Sequence, residues 1–126
     1  MAFVCPECLQ GRLTITNRLE LEGDSRSDDI TLQLLDCVAC GFGAIAVYEE
    51  SRRGALDSES SDHYGYKISD ADLQNLRVLF EHCPYRQKVN CDCVAHWALN
   101  RYDATGRWDA LESYEKSYFA MRYIEN

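Results

Sequence analysis

Two cysteine pairs, Cys5-Pro6-Glu7-Cys8 and Cys37-Val38-Ala39-Cys40-Gly41, constrain this chain more than any other feature. Two cysteines separated by two residues bend around a cation in one tight turn. Each pair then supplies one edge of the tetrahedron that zinc prefers. Pro6 and Gly41 suit the tips of such turns. The 28 residues between Cys8 and Cys37 are enough for one two-stranded excursion. The rival reading, a redox C-x-x-C, needs one pair at the start of a helix after a strand, and neither pair opens a helical pattern. Four buried free thiols are the other alternative. Four thiolates also suit iron.

Residues 12–22 alternate with period two: Leu13, Ile15, Leu19 and Leu21 fall on one face, with Thr14, Thr16, Arg18 and Glu20 on the other. A polar turn over 23–29 precedes a second strand, Ile30 to Asp36, which runs straight into the second pair. A third strand spans Phe42 to Glu49. Residues 50–63 are polar without apolar periodicity and read as the longest loop. Tyr64 to Ile68 reads as a short extra strand.

With these residues in place, the first 50 or so resemble the zinc-ribbon group. The stretch from Tyr48 through Tyr66 has the look of small uncharacterised bacterial zinc-ribbon proteins. The resemblance implies two knuckles clamping zinc beside a small antiparallel sheet. It implies no single activity, because ribbons serve transcription factors, ribosomal proteins, enzyme appendages and adaptors alike.

The second half reads as helical. Ser69 caps a helix with Asp72 three residues on, and Leu73, Leu76, Leu79 and Phe80 form its apolar stripe. Pro84 stops it. A helix over about 94–102 follows, and a last one over about 108–123 carries Leu111, Tyr114, Tyr118 and Met121 at spacings of three and four. The three remaining cysteines cluster here with a histidine: Cys83, Cys91, Cys93 and His96 make a Cys3His donor set. Cys93 and His96 share a helix face, and a zinc there would staple two short helices. Both sites together use all seven cysteines, so two zinc ions per chain are expected. The fold class expected is α+β: a zinc-ribbon β region over 1–68, then a zinc-binding region of about three helices over 69–126 packed on it.

Charge narrows the function. The chain carries net −8; residues 1–62 hold twelve acids against five bases, and residues 63–126 nine against eight. A nucleic-acid surface needs clustered positive charge to displace counterions, so a transcription-type ribbon is disfavoured. Neither H-E-x-x-H nor a deaminase pattern is present, and no catalytic residue is assigned. A metalloenzyme would need an open position at the second site, with His96 or His63 as acid or base. The polar stretch with Glu49, Glu50, Arg52, Arg53, Asp57, Glu59, Asp62 and His63 reads either as a solvated connection of mixed charge or as a candidate binding loop. Half of the fourteen aromatics follow residue 96, and Tyr114, Tyr118, Phe119 and Tyr123 wrap round more of the last helix than one core face needs. Core packing of small helices is one account of them; the surplus also fits a protein interface, including self-association through this helix. The N-terminus lacks a basic region followed by an apolar run, and no apolar stretch spans a membrane. The cytosol, where thiols stay reduced, is the expected compartment. The reading is a small cytosolic zinc-binding protein acting as a protein-interaction or adaptor module.

Overall fold

A computed structural model describes residues 2–51 and 60–123. The chain runs β1 (Leu13–Glu22), β2 (Asp29–Cys37), β3 (Gly43–Ser51), β4 (Ser60–Ile68), α1 (Asp70–Glu81), α2 (Val94–Leu99) and β5 (Lys116–Ala120). The five strands form one antiparallel sheet in sequence order. The two edges of this meander are drawn together by residue 3, which bridges both Leu13 and Tyr123. Val4 N–H also donates to the Arg122 carbonyl at 2.7 Å. The sheet therefore curls, and its central strands β2 and β3 are buried on both faces.

The outer face packs on the helices. Its core joins Leu19, Leu21, Leu32, Leu34, Ile45 and Val47 to Leu73, Leu76 and Phe80 of α1 and to Ala95 and Leu99 of α2. The inner face holds Phe3, Leu13, Leu35, Ala44 and Ala46, with Ile15 and Phe119 against them. Residues 13–21 were expected to place their four apolar side chains on one face, and they do not. The β1–β2 register shifts between Ile15 and Asn17. One extra residue in a strand exchanges its faces, so Leu13 and Ile15 serve the inner core while Leu19 and Leu21 serve the outer one.

A small sheet followed by about three helices is not what forms. Among the described residues there are two helices, and the expected last helix is a turn followed by β5, which pairs with β4 from Tyr64↔Ala120 to Ile68↔Lys116. The spacing of Leu111, Tyr114, Tyr118 and Met121 fits a helix, but the edge of β4 offers backbone hydrogen bonds that a strand can complete. The surplus of aromatics was the clue. Tyr118 and Phe119 would lie on neighbouring faces of a helix, whereas on a strand they face opposite ways. Phe119 meets Phe42 on the inner side, with ring centroids 6.0 Å apart, and Tyr118 meets Tyr66 on the outer side at 6.3 Å. The helix expected to carry self-association is therefore a sheet strand.

The α1 helix begins as its sequence indicates, with the Ser69 hydroxyl accepting from Asp72 N–H at 3.1 Å. Arg77 of α1 forks onto Asp36 at 2.7 and 3.1 Å, which ties the helix to the residue before Cys37. Both ends of the polar stretch after Tyr48 are strand, because ladder pairing overrides weak strand propensity. Glu49 and Glu50 belong to β3, and Asp62 and His63 to β4. Arg52, Arg53, Asp57 and Glu59 lie outside the described residues. No helix among the described residues is long and apolar enough to cross a membrane.

Candidate metal centres

The first cluster is built from two turns of the same design. In each, the N–H of the first cysteine donates to the carbonyl five residues on: Cys5 to Gln10 and Cys37 to Phe42, both at 2.8 Å. The residue after the second cysteine donates back to the first cysteine's carbonyl: Leu9 to Cys5 and Gly41 to Cys37, both at 2.9 Å. That residue has positive φ in both turns, +64° at Leu9 and +79° at Gly41. The backbone inside each turn points at sulfur, since Cys5 accepts from the N–H groups of Cys8 and Glu7, and Cys37 from those of Cys40 and Ala39. Such N–H···S bonds stabilise thiolate. Leu9 gave no sequence signal, because nothing in its type requires a left-handed conformation.

The turns set Cys5 Sγ 3.7 Å from Cys40 Sγ and Cys8 Sγ 3.7 Å from Cys37 Sγ. A disulfide requires about 2.05 Å. The edge of a tetrahedron with zinc–sulfur bonds of about 2.3 Å is about 3.8 Å. All four sulfurs lie within 4.8 Å of one another, so the donor set fits a thiophilic cation.

The second cluster joins the end of α1 to the start of α2. Cys83 follows the α1 C-cap, and Cys93 is the N-cap of α2, its sulfur accepting from His96 N–H at 3.3 Å. Cys83 Sγ lies 3.9 Å from Cys91 Sγ. His96 Nδ1 lies 3.1 Å from Cys93 Sγ and 3.3 Å from Cys83 Sγ. Its other nitrogen, Nε2, sits 2.8 Å from the Glu20 backbone carbonyl. A carbonyl only accepts, so Nε2 carries the hydrogen and donates it. The Nδ1 lone pair is then left toward the sulfurs, the arrangement that orients a metal-binding imidazole. The carbonyl of a strand residue 76 positions away is a partner no sequence spacing reveals. His82, adjacent to Cys83, has Nδ1 2.8 Å from the Val78 carbonyl and is not in the cluster. A solvent-open cleft of about 470 Å³ touches Cys91, Cys93 and His96, with Trp97 on its wall.

The electrostatics of the two clusters match. Burial pushes the Cys5 thiol up. Burial also opposes ionisation of Cys37, but the N–H groups of Cys40 and Ala39 and the Cys40 and Cys8 thiols outweigh it and bring it down to about 7. Cys40, although the Phe42 N–H helps it, is pushed up to about 12 by burial and by its three neighbours. In the second cluster burial again opposes, yet the His96 N–H and ring with the Cys83 and Cys91 thiols bring Cys93 down to about 7. Burial and the Cys93 thiolate push Cys83 up to about 11. In each cluster one thiol is thus drawn toward ionisation while a neighbouring thiol is pushed away from it, Cys37 against Cys40 and Cys93 against Cys83. A divalent cation removes that conflict by deprotonating its ligands outright.

Among the described residues, Glu49, Glu50, Asp62 and His63 of the candidate loop form no third metal-type cluster. His63 lies on the inner face between the rings of Phe3 and Tyr48, at 5.3 and 5.7 Å, and donates to Gln33 Oε1 at 2.6 Å. Burial lowers its pKa, which suits a neutral packed imidazole. Glu49 faces the outer side, where Tyr64 hydrogen-bonds it.

Compared with known proteins, the chain matches no family model, no curated protein and no solved structure. Fold and sites alone define its class, a curled five-stranded antiparallel protein with two four-donor, cysteine-rich clusters that can hold metal ions.

Proposed function

We propose that this chain is a protein-interaction module held in shape by two closed, structural zinc sites. The observation that carries the reading is that all seven cysteines and His96 are gathered into two complete four-donor sets. Zinc at Cys5, Cys8, Cys37 and Cys40 would join the N-terminal segment to the β2–β3 turn. Zinc at Cys83, Cys91, Cys93 and His96 would join α1 to α2. Structural zinc contributes on the order of 10 kcal/mol to folding and supplies no redox chemistry. Four protein donors leave no position for substrate.

Exposed apolar residues beside both clusters support an interaction role. Leu9 and Val38 stand at the two turns of the first cluster, and Val94 and Trp97 share the outer face of α2 at the second. Trp97 is 80% exposed. Isolated exposed apolar residues are ordinary, but an exposed tryptophan on a metal-pinned helix is the kind of anchor that dominates protein interfaces.

Elemental analysis tests the metal half of this reading. Two zinc per chain are expected, falling to about one in Cys8→Ser and in Cys93→Ser. One zinc in the wild type, unchanged in Cys93→Ser, would remove the second site; iron in place of zinc would remove the metal assignment. Cobalt-substituted protein should keep its absorption spectrum when azide is added. A spectral change would reveal an open coordination position and favour a metalloenzyme.

A further inference from the structure

The outer face of the sheet carries a second kind of site, away from both metal clusters. A cavity of about 150 Å³ lies among Tyr64, Tyr66, Trp108, Asp109, Glu112 and Lys116, with Val47 and Leu111 also on its wall. It has room for one compact organic group. The Tyr64 and Tyr66 rings meet edge to face, with centroids 5.5 Å apart and planes at 82°. Trp108 is fixed at both ends, its indole N–H donating to the Leu99 carbonyl at 2.7 Å and its backbone N–H to Asp24 Oδ2 at 2.8 Å. Three aromatic side chains packed at the margin of the core thus line one small cavity.

The charges around the cavity point one way. Asp109 and Glu112 line it. Glu49 is only 8% exposed, is hydrogen-bonded by Tyr64 and acts electrostatically on Tyr66 as well. Among the described residues, Arg107 is the cation that acts on Glu49, and it is engaged with Asp24 at 3.3 Å. A buried carboxylate is costly unless positive charge offsets it, and a positive charge placed in the cavity beside Tyr64 and Tyr66 would do so. The protein already puts one there: Lys116 Nζ lies over the Tyr66 ring, 5.7 Å from its centroid, and donates to the Leu111 carbonyl at 3.0 Å.

We infer that this cavity is a recognition site for a methylated ammonium group, with Tyr64, Tyr66 and Trp108 supplying ring faces, Glu49, Asp109 and Glu112 supplying negative charge, and Lys116 acting as a displaceable internal cation. A quaternary ammonium is attracted to aromatic faces and, unlike a primary amine, forms no strong hydrogen bonds with water that must be replaced. The group can belong to a free small molecule or to a methylated lysine on a protein. The inference does not depend on the identity of the metal or on the Trp97 surface.

Titrations of the metal-loaded full chain, followed by the NMR signal of the Trp108 indole N–H, provide the test. The probes are choline, its uncharged isostere 3,3-dimethylbutan-1-ol, and a short peptide with lysine either trimethylated or unmodified. Choline and the trimethylated peptide should shift the signal saturably, and the uncharged alcohol and unmodified peptide should not. Tyr66→Leu should weaken binding about five-fold, and Lys116→Met should tighten it several-fold. Glu49→Gln should weaken binding while raising resistance to denaturant, a combination that mere loss of structure cannot produce. A peptide that binds more tightly than choline identifies a protein-borne group, and equal binding identifies a free ammonium compound. Equal binding of choline and the alcohol, or no saturable shift with either ammonium probe in both the wild type and Lys116→Met, overturns the inference.

Discussion

The twin turns of the first cluster differ at one position, and the difference can be exchanged. Leu9 and Gly41 occupy equivalent places, each with positive φ. A left-handed conformation costs an L-residue about 1–2 kcal/mol. Leu9 is 72% exposed, so removing its side chain forfeits little buried surface. Glycine there relieves the left-handed strain and loses about 0.5–1 kcal/mol through its freer unfolded chain. The net for Leu9→Gly is a gain of about 0.5–1 kcal/mol, or roughly 2–5 °C in Tm. At Gly41 an added Cβ meets nothing within 4 Å, so Gly41→Ala incurs the conformational cost alone and should lose a similar amount. The double variant should return close to wild type. Urea denaturation of zinc-loaded protein in a zinc buffer measures this, since fixed free zinc keeps metal linkage constant across variants. Destabilisation by Leu9→Gly of about 1 kcal/mol or more would refute the reasoning, because it would mean that the leucine side chain makes contacts worth more than its backbone strain.

Other consequences follow from the packing and charges. Replacing Gly65 by alanine would drive a Cβ into the Phe119 ring, well inside contact distance, and should cost about 1–3 kcal/mol in denaturant unfolding, partly recovered by Phe119→Leu. Although burial opposes its ionisation, Asp24 has its pKa held below the usual value by the N–H groups of Trp108, Arg26 and Ser27 and by Arg107. Its contribution is therefore present above the unfolded carboxylate value, about 3.9, and disappears as pH falls through the lower folded value. Asp24→Asn should destabilise the protein at pH 7, with the gap to wild type narrowing as pH falls below about 4 and closing below the lowered folded value, as seen in paired denaturation series; a gap that persists at low pH would mean that packing, not charge, is lost.

Glu49 has the opposite sign. Burial raises its pKa, so its ionisation weakens the fold as pH rises above the unfolded value. The stabilisation expected from Glu49→Gln should accordingly be largest at pH 7 and fade toward pH 4. Denaturation at the two pH values checks it, and equal gains at both would remove the charge argument.

The donor sets were legible in the chain because two cysteine pairs at two-residue spacing have the ligand spacing of a zinc site, and Cys83, Cys91, Cys93 and His96 stand close enough in sequence to be read as a group. The α1 cap was legible for the same reason: Ser69 and Asp72 act on each other across three residues. Local chemistry writes itself into local spacing. The structure alone decided what acts at a distance. The bulge between Ile15 and Asn17 divides β1 between two cores, and a period-two pattern cannot show a shift of one residue when both faces are apolar. Residues 116–120 became a strand because the edge of β4 was there to be completed, although their spacing with Leu111 and Tyr114 suited a helix. The Glu20 carbonyl that orients His96, and the grouping of Glu49, Tyr64, Tyr66 and Trp108, join segments far apart in the chain. The sequence by itself determined which atoms can bind metal. Tertiary structure decided which faces are buried and which side chains meet, because burial and ladder hydrogen bonds are settled only once distant segments come together.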